Sequence, residues 1–204
     1  MTPIDASWPA ERQESQLRDH NWVFLRTIAM HETYPGHHLQ PVHAKRQPSP
    51  ILRGNRSTLM SEGWGLYTED VFWEVGFLSD PRQRLWQLKH ALWRAVRLIV
   101  DTGIHARGMR FDTAVDLLVD RVKLERPSAI GEITRYTTAP TQPSSYQLGR
   151  DLIMQTRETY RDRQKSAFSL RDFHDRFLRY GSIPVRLIRD DLLGPTPTDG
   201  GPAA

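Results

Sequence analysis

From Asp80 to Gly108 the sequence sets Leu85, Leu88, Leu92, Val96 and Ile99 at intervals of three and four residues, and that rhythm fixes the fold class. Residues so spaced line one side of an α-helix, whereas a half-buried strand needs strict alternation, which no stretch of this chain shows convincingly. Asp80-Pro81 has the form of an N-cap followed by proline at the first helical position, and Gly108 lies at or just beyond the far end. The same period recurs on both sides. Residues 11–30 form a helix leading into HETYPGHHLQ, residues 59–75 a second, and residues 111–124 follow the long one. Pro127 opens a short helix, and residues 146–163 form a longer one. Ser169 with Asp172 resembles a capping box in which Asp replaces the usual Glu or Gln. It opens a helix stopped by Gly181, and a last short helix follows Pro184. The stretch 43–58 and TTAPTQPSS read as loops. The expectation is an all-α fold of about seven to eight helices: one helical catalytic domain over residues 1–193 and a disordered tail over 194–204.

A chain of 204 residues has room for a proper core. Lys and Arg number 28 against 24 Asp and Glu, a net charge of +4. With no block of like charge and no purely basic helix face, a nucleic-acid partner is not expected. Cysteine is absent, which excludes disulfides, thiolate metal sites and cysteine nucleophiles. Any transition-metal site must therefore use His and carboxylate. No run approaches the roughly 18 apolar residues that a membrane crossing needs, and MTPIDASWPAERQES has no apolar stretch of the kind a secretory signal carries. The expected compartment is the cytoplasm, with no membrane partner.

The chemistry concentrates in HETYPGHHLQ and SEGWGLYTED. Helical metallohydrolases hold zinc with two His from one helix and a carboxylate from the next, and the Glu after the first His acts as general base toward a metal-bound water. His31-Glu32 ends one helix and Glu62 lies on the next, so order and residue types fit. The spacing does not. Histidines four apart lie about 40° apart around a helix, and here position 35 is Pro. His38 shares a face with His31 but lies about 10.5 Å along a regular axis. His37 would point about 120° away unless Pro35-Gly36 distorts the helix and absorbs two residues. A site built on His31, His37 and Glu62 therefore requires a distortion there.

Glu69 stands seven residues after Glu62 on the same helix face, either a solvated carboxylate or the acceptor that orients a ligating imidazole. Gly63 and Gly65 allow close backbone approach. Arg97, Asp101 and His105 recur at intervals of four, which sets a carboxylate beside an imidazole or, more blandly, makes an ion-paired surface. Tyr146 is a candidate phenol donor to an oxyanion, or a core tyrosine. His20, His43, His90 and His174 lack ligand-like spacing to one another and read as surface or packing residues.

These motifs, with RLWQLKHALWRAVRLIVDTGIHARGM, SSYQLGRDLI and FSLRDFHDRFLRYGSIPVRLIRDDL, make the chain similar to the bacterial family known as domain of unknown function 885, whose members are regarded as metallopeptidase-like. The resemblance runs from about Glu11 to Leu193. It aligns His31, Glu32, Pro35, Gly36, His37 and Gln40 with the family's His-Glu and Pro-Gly-His pattern, Glu62-Gly63-Trp64 with its Glu-Gly-Trp, and Asp101, Thr102, Gly103 and His105 with its Asp-Thr-Gly-x-His. Position 38 is often aromatic in relatives, which favours His37 as the ligand. Members are usually much longer, with a helical region before the His-Glu motif.

The resemblance implies hydrolysis of an amide bond in a peptide or peptide-like metabolite, with one zinc ion on His31, His37 and Glu62. Glu32 serves as base, and His105 and Tyr146 stabilise the oxyanion. Two rival readings are a metal-dependent lyase or cyclase acting on a small metabolite, and a non-catalytic remnant that binds a partner. The missing N-terminal half or a second copy of the chain would be that partner.

Overall fold

Local capping sets where the helices begin. In the computed structural model, which describes residues 3–194, α1 (Ala10–Asp19) is followed by α2 (Trp22–Glu32), with Asn21 serving both. Its amide donates to Arg18 O (2.9 Å), and its side-chain oxygen accepts from Val23 N and Phe24 N (both 3.1 Å). Two short helices follow, α3 (Leu39–Lys45) and α4 (Pro50–Gly54). Ser57 caps α5 (Thr58–Glu74), and Asp80 caps α6 (Pro81–Ala106) with Gln83 completing a reciprocal box. Next come α7 (Phe111–Leu117), which runs into a π-helical turn (Leu118–Val122), then α8 (Arg126–Thr137) and α9 (Gln142–Gln164). After a 3-10 turn (Lys165–Ala167), Ser169 caps α10 (Leu170–Leu178), and α11 (Val185–Leu193) closes the described chain.

All regular structure among the described residues is helical, as the periodicity requires. The α-helices among the described residues number eleven rather than seven or eight, because capping residues divide what apolar period alone runs together. Asn21 splits the first helix, and the Pro- and Ser-rich stretch expected to be a loop folds into the end of α3 and all of α4. The tail expected to be disordered lies, beyond Gly194, outside the described residues. No described helix is long and apolar enough to cross a membrane.

The centre is the packing of α5 on α9, the most extensive helix pair in the molecule. Their closest approach is Gly63 on Gly149. A Cβ on Gly149 would lie 1.9 Å from Leu59 O, and one on Gly63 would lie 2.4 Å from the Gly149 carbonyl carbon. No side chain fits between these backbones. One apolar cluster gathers α5, α9, α10 and α11 around Trp64, Tyr67, Ile153, Phe173, Phe177 and Ile188. A second gathers α6, α7 and α8 around Val100, Leu118, Ile133 and Tyr136.

Helix α6 inverts the usual amphipathic rule. Its buried residues include Gln83, Gln87, His90, Arg94, Arg97 and Asp101, while of the apolar series read from sequence only Val96 is buried. Leu85, Leu88, Leu92 and Ile99 face solvent. The polar face turns inward because its partners lie there: Glu69 for His90 and Arg94, and Tyr136 for Arg97.

Candidate metal centre

His31 occupies the last turn of α2 and is 1% exposed. Its Nδ1 lies 2.9 Å from Glu69 Oε1 on α5. The ring donates to that carboxylate, which fixes the tautomer and leaves Nε2 with a free lone pair. The ring edge rests against Gly65, where a Cβ would stand 2.7 Å from both Cε1 and Nε2. Gly65 is therefore the seat of His31. Of the two readings of Glu69, the solvated carboxylate does not hold: Glu69 is buried and orients the His31 ring.

After Glu32 the helix stops. The distortion expected at Pro35-Gly36 takes the form of a break, not a bulge in a continuing helix. The chain turns back over the end of α2: Gly36 N donates to Met30 O (3.1 Å) and His37 N to His31 O (2.7 Å), each spanning six residues. A Cβ at position 36 would fall 1.9 Å from His31 O, so the turn admits only glycine. Trp64 Nε1 donates to Pro35 O (2.8 Å), which ties the turn to α5. At the start of α3, Gln40 Nε2 donates to Gly181 O (3.1 Å) and anchors the exit.

The break returns His37 to His31. Their ring centroids lie 4.6 Å apart with planes at 86°, and His31, Glu32 and His37 each bring a ligand-capable atom within 4.8 Å of the other two. Glu62 faces them from α5, with Oε2 3.2 Å from His37 Nε2. Oε2 is buried, yet it receives no hydrogen bond of good geometry. Glu62 Oε1 accepts from Gln142 Nε2 (3.2 Å), which also reaches Tyr146 OH (3.1 Å). Tyr146 stacks near His31 at a centroid distance of 6.2 Å, with the Arg94 and Arg97 guanidiniums over its ring at 5.9 and 4.8 Å. His38 is exposed and packs on Tyr34 instead.

Charge pairing dominates the electrostatics. Burial works to lower the His37 pKa, but the close charge pairing with Glu62, with a contribution from Glu32, outweighs it and holds it above the ordinary value. Glu62 shows the converse: burial pushes up, while His37 and the Tyr146 phenol hold it below the usual carboxylate range. Glu69 is fully buried. Burial would raise its pKa, but Arg94 (Nη2 to Oε1, 3.8 Å) with His90 (Nδ1 to Oε2, 3.2 Å) and His31 drives it far down. Burial pushes His90 down despite Glu69, so it donates as a neutral ring.

Two residues stand apart from expectation. His105 makes its contacts elsewhere: Nε2 donates to Tyr136 O (3.1 Å) and lies 3.7 Å from Asp101 Oδ1. Asp101 in turn accepts from Thr141 N and Ser144 N (both 3.2 Å) and from Ser144 Oγ, capping the start of α9. Among the described contacts none brings His105 to the cluster. His90, read as a surface or packing residue, is fully buried and pairs with Glu69. The signal was present: His90, Arg94, Arg97, Asp101 and His105 follow one another at intervals of three and four, which sets them on one face of the helix.

An all-helical protein with a partly buried His/Glu cluster at a broken helix is the class that fold and geometry define. Within it, the chain belongs to the bacterial family of proteins of unknown function designated DUF885, whose profile matches residues 6–192. Two solved structures resemble it. A "putative lipoprotein of unknown function from Shewanella oneidensis" is 36% identical with a TM-score of 0.83, the match covering 95% of this chain and 35% of that one. A "putative lipoprotein from Colwellia psychrerythraea" is 32% identical with a TM-score of 0.81, covering 86% and 30%. This chain thus spans about a third of the length of either relative. Those titles lend no support to the cytoplasmic compartment expected from sequence. No curated protein matches the chain.

Proposed function

We propose that the chain is a zinc-dependent hydrolase of metallopeptidase type, cleaving an amide bond in a peptide or peptide-like metabolite. One observation carries this reading. The rings of His31 and His37 meet with Glu32 within ligand reach, Glu62 Oε2 lies 3.2 Å from His37 Nε2, and Glu69 holds the opposite nitrogen of His31. Two imidazoles and a carboxylate, with a carboxylate behind one imidazole, fit a zinc-class cation. His31 Nε2, His37 Nε2 and Glu62 Oε2 are the atoms that would hold the ion. When bound, the ion supplies Lewis acidity and lowers the pKa of water.

The chain's own groups divide the remaining work. Glu32 is exposed at the end of α2 beside both histidines, where its carboxylate takes a proton from water and returns it to the leaving amine. Tyr146 OH, beside Glu62, donates to the developing oxyanion. His105, held at the Tyr136 carbonyl, has no part in this reading. Metal content by plasma mass spectrometry tests it, comparing wild type with His37→Ala, Glu62→Ala and Glu32→Gln, followed by peptide-library hydrolysis. Near-stoichiometric zinc, lost in the first two variants and retained in the third without turnover, is the expected pattern. A wild type that takes up no metal after zinc is supplied overturns the proposal.

A further inference from the structure

Helix α6 leaves an apolar ridge bare. Leu85 is 68% exposed, Leu88 48%, Leu92 46% and Ile99 55%. Ala91 and Ala95 fill the gaps between them, so one side of the helix carries no charged residue over about 21 Å. A solvated helix ordinarily turns such a row inward. Here the inward face is committed to Glu69 and Tyr136, and the molecule cannot rotate the helix without abandoning those partners. At its C-terminal end the ridge runs into a groove of about 410 Å³, in which Leu98 and Ala106 face Leu59, Pro140 and Leu148. Such an exposed apolar row is of the kind that marks an interface.

The relatives indicate what covers it. In the Shewanella oneidensis protein, 95% of this chain, α6 included, superposes on 35% of a single polypeptide. The other 65% is additional protein attached to the same fold, and the Colwellia psychrerythraea protein repeats the pattern with 30% matched. We propose that the Leu85–Ile99 ridge is the docking face for a helical polypeptide equivalent to that unmatched two-thirds. The ridge specifies the partner's contact surface: a helix with an apolar row at intervals of three and four, free of charge at its centre, packing ridge into groove. Polar neighbours lie at the margins, where Lys89 stacks on Trp86 and Arg84 on Trp73.

Two measurements decide the matter. The first is sedimentation of this chain at low micromolar concentration, wild type beside a Leu88→Asp, Leu92→Asp double variant. Leu88→Ser with Leu92→Ser serves if circular dichroism shows the first pair unfolded. Monomers in both cases are expected, because the ridge fits a segment equivalent to the relatives' unmatched part and not a second copy of itself. A wild-type dimer dispersed by the substitutions makes a second copy the occupant and overturns the proposal. The second is the accessible area, in the solved Shewanella oneidensis structure, of the residues aligned with Leu85, Leu88, Leu92 and Ile99. Coverage of most of it by the unmatched part of that chain supports the assignment. Positions open to solvent there overturn it.

Discussion

Gly65 shows how closely the site depends on single atoms. A methyl at that position would stand 2.7 Å from two ring atoms of His31, nearer than Cβ atoms approach one another's neighbours in real structures. The ring has little room to yield, because Glu69 grips its other edge. In a helix interior, alanine is better than glycine by roughly 0.5–1 kcal/mol. Gly65→Ala should therefore keep the fold, with a melting temperature near that of wild type, but lose most bound zinc. Metal stoichiometry beside a thermal melt checks this, and full metal occupancy in the variant would refute the seat assigned to His31. The same scale shows what sequence can disclose. His31, Glu32, His37 and Glu62 are legible because residue type, order and the Pro35-Gly36 break state the chemistry locally. The contacts of His105 and His90 are not legible because their partners are distant in sequence: the Tyr136 carbonyl for the first and Glu69 for the second.

Between elements, packing is set where helices meet. Gly149→Ala would drive a methyl into Leu59 O, a backbone atom that cannot rotate away, so α5 and α9 must separate. The expected loss is about 2–3 kcal/mol or more, as for overpacked cores, read from urea unfolding of the variant beside wild type. A second junction is sensitive to acid. Tyr67 on α5 accepts from Arg157 (3.4 Å) and donates its hydroxyl proton to His174 Nε2 on α10 (2.7 Å). Burial, aided by Arg157, pushes the His174 pKa down to about 4. Its pKa is lower folded than unfolded, so the unfolded chain binds the extra proton between about pH 6.5 and about pH 4, and stability falls as pH falls through that window. The full effect is up to about 3 kcal/mol. In His174→Gln that part of the slope should vanish; an unchanged slope would show that the ring does not titrate as described. Helix type and approximate span were legible at this scale from period and capping residues. The facing of α6 was not, because periodicity reports that a helix has two faces and leaves open which one its neighbours need.

For the molecule as a whole, the site ties together segments that the unfolded chain leaves apart: the end of α2, the turn after it, and α5. An ion held there binds the native state and stabilises it by mass action, about 2.7 kcal/mol at a free concentration one hundred times Kd. For a chain of this length that corresponds to a rise in melting temperature of roughly 5–10 °C. The rise should reverse on chelation, and it should depend on pH in a direction that the site dictates. Without metal, His37 carries a raised pKa, so its pairing with Glu62 stabilises the fold below the unfolded pKa and is lost as pH rises through the folded one. The proton and the ion compete for the same nitrogen. Metal should therefore raise the melting temperature more at about pH 8 than at about pH 6, and Glu62→Ala should abolish both the rise and its pH dependence. Calorimetric scans of the metal-free and zinc-loaded protein at the two pH values make the comparison. An equal rise at both, or one that survives in Glu62→Ala, would place the bound ion away from His37 and Glu62.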